Sequence, residues 1–149
     1  MNRFPLSKTE SGIFIEQMRA RNTAYNNPLT IRLPDDVDLE RLKAALGTVI
    51  AAHPVLRTGF GLDETGTPYK YLREEDAAPE LPVLWAERFA VQSYVKPFDL
   101  ERDLLYRASV IVTPAEKLLF LDVHHVIFDG RSAGILLRQI DEAYRGLPV

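Results

Sequence analysis

Apolar and polar positions alternate along this chain with two different periods, and the switches between them lay out the fold. Ser7 and Glu10 form a capping-box pair ahead of Ile13, Phe14 and Met18, which predicts a helix from Ser7 to about Arg19. Leu29, Ile31 and Leu33 alternate with Thr30 and Arg32 up to Pro34, a strand pattern. Asp38 then precedes Leu39, Leu42, Leu46, Val49, Ile50 and His53, spaced by threes and fours as one helical stripe that Pro54 ends. Leu56–Gly61 and Pro68–Leu72 read as extended runs joined by the turn Asp63-Glu64-Thr65-Gly66. Residues 73–82 form an acidic, Pro-containing surface loop, and Ala86–Lys96 has weak helical character. Leu104, Tyr106, Ala108, Val110 and Val112 share one face of a strand, and Leu118–His124 makes a second. Pro114-Ala115-Glu116 connects the two as an antiparallel hairpin. Ser132–Arg145 is a helix with Ile135, Leu136, Ile140 and Tyr144 toward a core and Gly146 at its C-cap. Hairpins interspersed with helices predict an α+β layered sandwich, its sheet mixed but largely antiparallel and flanked by helices.

Composition narrows the function. The 149 residues fit one domain with a real core. A net charge of −3 offers no basic surface for nucleic acid or for an anionic membrane. The chain has no cysteine, so thiolate chemistry and a disulfide framework are excluded, as suits a cytoplasmic protein. No apolar run approaches the roughly 20 residues of a membrane span, and the opening residues lack the apolar segment of a signal peptide.

Chemistry concentrates in HHVIFDG, residues 124–130. Successive strand side chains point to opposite faces, so His124 and His125 should not share a site. Alternation puts His125 with Leu119, Leu121 and Val123, and His124 with Phe120 and Asp122. Two diverging imidazoles do not make a metal site. Ser132, at a predicted helix start, reads as a cap rather than a nucleophile. His53, at a helix C-terminus, reads as a stabilising group.

HHVIFDG resembles the HHxxxDG pattern of condensation domains, epimerisation domains and chloramphenicol-acetyltransferase-like acyltransferases. Three further segments carry the same likeness in order. FPLSKTESGIFIEQ resembles the opening helix motif of condensation domains, with Glu10-Ser11 around the usual Ala-Gln. AYNNPLTIRL resembles the strand that follows. AAHPVLRTGF resembles the second motif, with Ala52 for its Arg and Pro54 for its Glu.

The resemblance implies the N-terminal lobe of a condensation domain of nonribosomal peptide synthetases, spanning residues 1–149, with a chloramphenicol-acetyltransferase-like fold. It implies an acyltransferase that forms an amide when a carrier-bound acceptor amine attacks a carrier-bound donor thioester, as in antibiotic or other secondary-metabolite biosynthesis. His125 holds the catalytic position, while His124, Asp129, Gly130 and Arg57 support it, Asp129 by pairing with Arg57. Loss of one partner of such a buried pair costs roughly 3–5 kcal/mol. No cofactor binds directly, because the substrates ride on the phosphopantetheine of donor and acceptor peptidyl carrier proteins. A C-terminal lobe and an adenylation domain are the other implied partners. An isolated lobe would be inactive and would expose an apolar wall. An epimerisation-type lobe, or a non-catalytic module that docks carrier proteins, are the alternatives; LRTGF, residues 56–60, favours condensation.

Overall fold

A computed structural model of the chain describes residues 2–73, 79–128 and 130–149. Its elements follow the order β1 (Phe4–Pro5), α1 (Lys8–Ala20), β2 (Asn26–Leu33), α2 (Leu39–Ala52), β3 (Thr58–Leu62), β4 (Pro68–Leu72), β5 (Val83–Trp85), β6 (Tyr106–Val112), β7 (Lys117–His124) and α3 (Gly130–Tyr144).

Local chemistry sets the starts of the first two helices as the sequence predicts. The Ser7 hydroxyl accepts from the Glu10 N–H while Glu10 accepts from the Ser7 N–H, so the capping box of α1 is complete. Burial alone would raise the Glu10 carboxyl, but its bonds to the Ser7 backbone and to Lys70 hold it below the usual carboxylate range. Asp38 caps α2 through the Arg41 N–H. Its own N–H donates to the Tyr144 hydroxyl, tying the start of α2 to the end of α3. His53, just after the last turn of α2, bonds Gln139 within α3. Gly146 closes α3 with φ 79°, a left-handed position that suits glycine.

Two sheets result. The smaller has the order β1-β4-β3, and its β3–β4 turn is held by Asp63, which accepts from Thr65 and Thr67. The larger has the order β2-β7-β6-β5; β2, β7 and β6 pair antiparallel and β5 runs parallel to β6. Its principal core face buries Val110, Leu119, Leu121 and Val123 among Phe14, Leu42, Leu46, Val49, Ile50, Leu136 and Ile140. Ile111, Leu118 and Phe120 point the other way and pack under Phe89, Tyr94 and Val95. The arrangement is α+β, with a mixed, largely antiparallel sheet and flanking helices.

Four local expectations need correction. Val83–Trp85 is an edge strand, and residues 86–96 hold only the short 3-10 turn Val91–Ser93 rather than a helix. Pro54–Arg57 winds into a 3-10 turn, because Pro54 pre-sets the backbone dihedral of its first residue, so the strand begins at Thr58. The last helix begins at Gly130, which places Ser132 inside its first turn instead of at the cap. Ile135 is on the outer side of that helix, 45% exposed. Part of the acidic loop, residues 74–78, lies outside the described residues. Among the described residues no helix is long and apolar enough to cross a membrane.

Candidate functional site

The central strand β7 ends at His124, and the chain turns there. His125–Ile127 forms a 3-10 turn in place of further strand. That turn corrects the simple alternation. His125 does not continue the core face of Leu119, Leu121 and Val123; it leaves the sheet and is exposed.

His124 is fully buried. The Val126 N–H donates to its Nδ1 at 3.1 Å, so that nitrogen is bare and the proton sits on Nε2. Nε2 in turn donates to Gln17 Oε1 at 2.9 Å. The amide nitrogen of Gln17 donates to the Asn22 carbonyl at 3.1 Å, which fixes which end of the amide faces the ring. Phe98 meets His124 edge-on, with ring centroids 5.7 Å apart. Burial, assisted by the nearby charge of His125, pushes the His124 imidazole down to about 4. His124 is therefore neutral near pH 7 and spends both nitrogens on structure.

Gln17 is the residue that sequence reasoning passed over. It stands three after Phe14 and four after Ile13, on the buried face of α1. A buried amide interrupting an apolar helix face was the available signal, since buried polar groups require partners.

His125 has different neighbours. Its backbone N–H donates to the Tyr25 carbonyl at 2.8 Å, just before β2 begins. Its ring lies parallel to the Tyr25 ring, with centroids 6.3 Å apart and planes 5° off. Asn27 Nδ2 approaches its Nδ1 at 3.4 Å. Asn27 pairs with Val123 across the β2–β7 ladder, so the two side chains share a face. Asn26 pairs with His124 and shares the opposite face, where its amide donates to Asp122 Oδ2 at 2.7 Å and to the Lys96 carbonyl. Asp122 is fully buried; burial pushes its carboxyl up, against the bond from Asn26 and the charge of Arg107.

The remaining predicted residues divide. Gly130 begins α3. Asp129 lies outside the described residues, and its pairing with Arg57 with it. Arg57 follows the 3-10 turn after α2, and its buried Nε has no partner among the described residues. Its charge acts on Tyr106, whose hydroxyl burial pushes up. Two clefts meet at Ile127, two residues beyond His125. One, of about 140 Å³, is lined by Val55, Phe128, Ile135 and Leu136. The other, of about 270 Å³, is lined by Phe4, Glu10, Lys70 and Leu72. Among the described residues no three His, Asp or Glu side chains gather as a metal site would need.

This geometry supports chemistry at an open surface: the exposed imidazole of His125, whose backbone N–H is held by Tyr25, can exchange protons or hydrogen bonds with a bound reactant. The chain matches the family model described as "Condensation domain" over residues 2–148. It is 36% identical over 152 aligned positions to a plipastatin synthase of Bacillus subtilis (strain 168), covering 97% of this chain and 6% of that protein. It is 33% identical to bacitracin synthase 2 of Bacillus licheniformis, covering 96% and 6%. Among solved structures, the starter condensation domain of rhizomide synthetase superposes with a TM-score of 0.85 at 20% identity, covering all of this chain and 40% of that one. The first condensation domain of the calcium-dependent antibiotic synthetase, in complex with a substrate analogue, gives 0.81 at 21%, again covering all of this chain and 40% of that one. The chain thus spans a small part of the length of these curated relatives and about two fifths of these solved chains.

Proposed function

The chain belongs to the condensation-domain family, and from that premise we propose that it is the N-terminal lobe of a condensation domain in a nonribosomal peptide synthetase, with His125 as its catalytic residue. The complete domain joins two acyl groups carried on phosphopantetheine arms. The amine of the acceptor attacks the thioester of the donor, the C–N bond forms as the C–S bond breaks, and an amide and a free thiol result. Donor and acceptor carrier proteins deliver the substrates, a second lobe closes the site, and an adenylation domain stands beside it in the assembly.

The observation that carries this reading is the contrast within the histidine pair. His124 is buried, neutral and committed to Gln17 and Val126, whereas His125 is exposed. Only His125 can touch a reactant. A neutral imidazole there takes a proton at its bare nitrogen, or donates a hydrogen bond from the other. No nucleophile is required of the protein, in keeping with a chain that has no cysteine. The share of the solved domains that the chain spans supports the lobe assignment. So do Val55 and Ile135, about half exposed, which line the cleft beside Ile127 where a second lobe would cover them.

The deciding experiment is His125→Ala in the complete synthetase, with loaded donor and acceptor carriers. Amide formation should fall by at least about a hundredfold while the domain stays folded. Retained product formation removes the catalytic assignment and leaves a module that only docks carriers.

A further inference from the structure

We propose that Asn27 is a positioning residue for His125: its side-chain amide holds Nδ1 and thereby selects the tautomer in which Nε2 carries the proton. The chemical part of this inference rests on the catalytic reading of His125; the structural part does not.

The His125 N–H bonds the Tyr25 carbonyl, and the imidazole lies parallel to the Tyr25 ring with centroids 6.3 Å apart. Asn27, half-buried at the start of β2 and two residues from Tyr25, is the side chain that reaches a ring nitrogen, with Nδ2 at 3.4 Å from Nδ1. An amide N–H only donates, so it requires a bare Nδ1 and leaves the proton on Nε2. The distance is at the long end for a hydrogen bond, as is common for catalytic contacts before substrate binds. Nε2 has no partner among the described residues.

The consequence is specific. A His125 whose Nε2 bears the proton offers the reactants a donor rather than a base. The attacking amine has first lost its extra proton to solvent. As it bonds to the thioester carbon, Nε2–H bonds the carbonyl oxygen while that oxygen carries negative charge, and keeps its proton. The C–S bond then breaks, the nitrogen gives up one proton, and the departing thiolate takes one to become the thiol. Asn27 sets which face of the imidazole chemistry meets the substrate without touching the substrate itself.

Tautomers are read directly from the ring-nitrogen shifts of ¹⁵N-histidine-labelled protein at about pH 8, where a free imidazole is neutral. In the 149-residue chain His124 and His125 should both show protonated Nε2. Asn27→Leu should turn His125 into a mixture. Asn27→Asp, whose carboxylate only accepts, should move the proton to Nδ1. His124 is the internal control: an unchanged signal certifies the fold in each variant, and the wild-type tautomer decides even if one variant fails to fold. A protonated Nδ1 in wild type, or a His125 tautomer indifferent to both substitutions, overturns the proposal.

In the complete synthetase Asn27→Leu should lower kcat roughly tenfold with KM for the carriers unchanged, and Asn27→Asp should lower it further. A faster Asn27→Asp enzyme overturns the donor role. Should His125→Ala retain activity while the tautomer shifts follow residue 27, the catalytic reading fails and the tautomer control stands.

Discussion

His124 and His125 are neighbours in sequence that differ in burial and in how many ring nitrogens are held. The first is fully buried, satisfied at both nitrogens and held far below its ordinary titration range. The second is exposed, held at one nitrogen, and free to meet a ligand. A strand that stops between them produces the difference. Had β7 run one residue further, His125 would have faced the core with Leu121 and Val123. Instead the 3-10 turn His125–Ile127 lifts it out, while His124 Nδ1 accepts the Val126 N–H that the turn would otherwise leave unpaired. The buried histidine is thus part of the device that presents the exposed one.

The comparison breaks most sharply under alanine. His125→Ala should cost the complete synthetase about 10²–10⁴-fold in amide formation, and less than about 0.5 kcal/mol in stability. His124→Ala should do the reverse at first sight. It removes a buried ring and strands Gln17 Oε1 and the Val126 N–H, for roughly 3–4 kcal/mol by denaturant unfolding. Equal destabilisation by the two substitutions would mean that the pair shares one environment.

Part of this was legible in the residues. The capping box at Ser7, the cap at Asp38 and the β6–β7 hairpin follow from local chemistry and a period of two, whereas the exposure of His125 does not, because the strand ends before it. Other parts depend on distant partners. Val83–Trp85 is three apolar residues without alternation, and only β6, more than twenty residues later in the chain, makes it a strand. The point where β7 ends is decided by Tyr25 and Gln17 claiming His125 and His124, and no window around HHVIFDG contains either. Asn26 and Asn27 stand ahead of the alternating run that begins at Leu29, and nothing marks them until the β2–β7 register sets one against Asp122 and the other against His125.

Acidification sharpens the same contrast at a slightly smaller scale. An unfolded histidine binds its proton near pH 6.5, while folded His124 resists until about 4. The unfolded state therefore binds more protons between those values. His124's contribution to stability is whole above about 6.5, declines as pH falls, and is lost below about 4, by about 3 kcal/mol in all. Asp122 works against this, since burial raises its carboxyl and its cost shrinks as it takes up a proton. Subtracting the unfolding curve of His124→Gln from that of wild type isolates the imidazole. A flat difference between pH 6.5 and 4 would show that His124 titrates as freely as an exposed histidine.

The finest test exchanges one atom. Gln17→Glu keeps an oxygen where His124 Nε2–H donates but replaces the amide nitrogen that donates to Asn22. A carboxylate beside the ring favours the imidazolium, so the folded pKa of His124 should rise. Each unit it rises restores about 1.4 kcal/mol of stability on the acid side. The variant should be weaker than wild type at neutral pH, where the new charge is buried against a neutral ring and the Asn22 carbonyl has lost its donor. It should narrow that gap progressively toward pH 4. Amide formation in the complete synthetase should change far less than in His125→Ala. If Gln17→Glu instead stops the reaction as completely as His125→Ala while the lobe stays folded, the buried histidine takes part in the chemistry and the division of labour between the two rings is wrong.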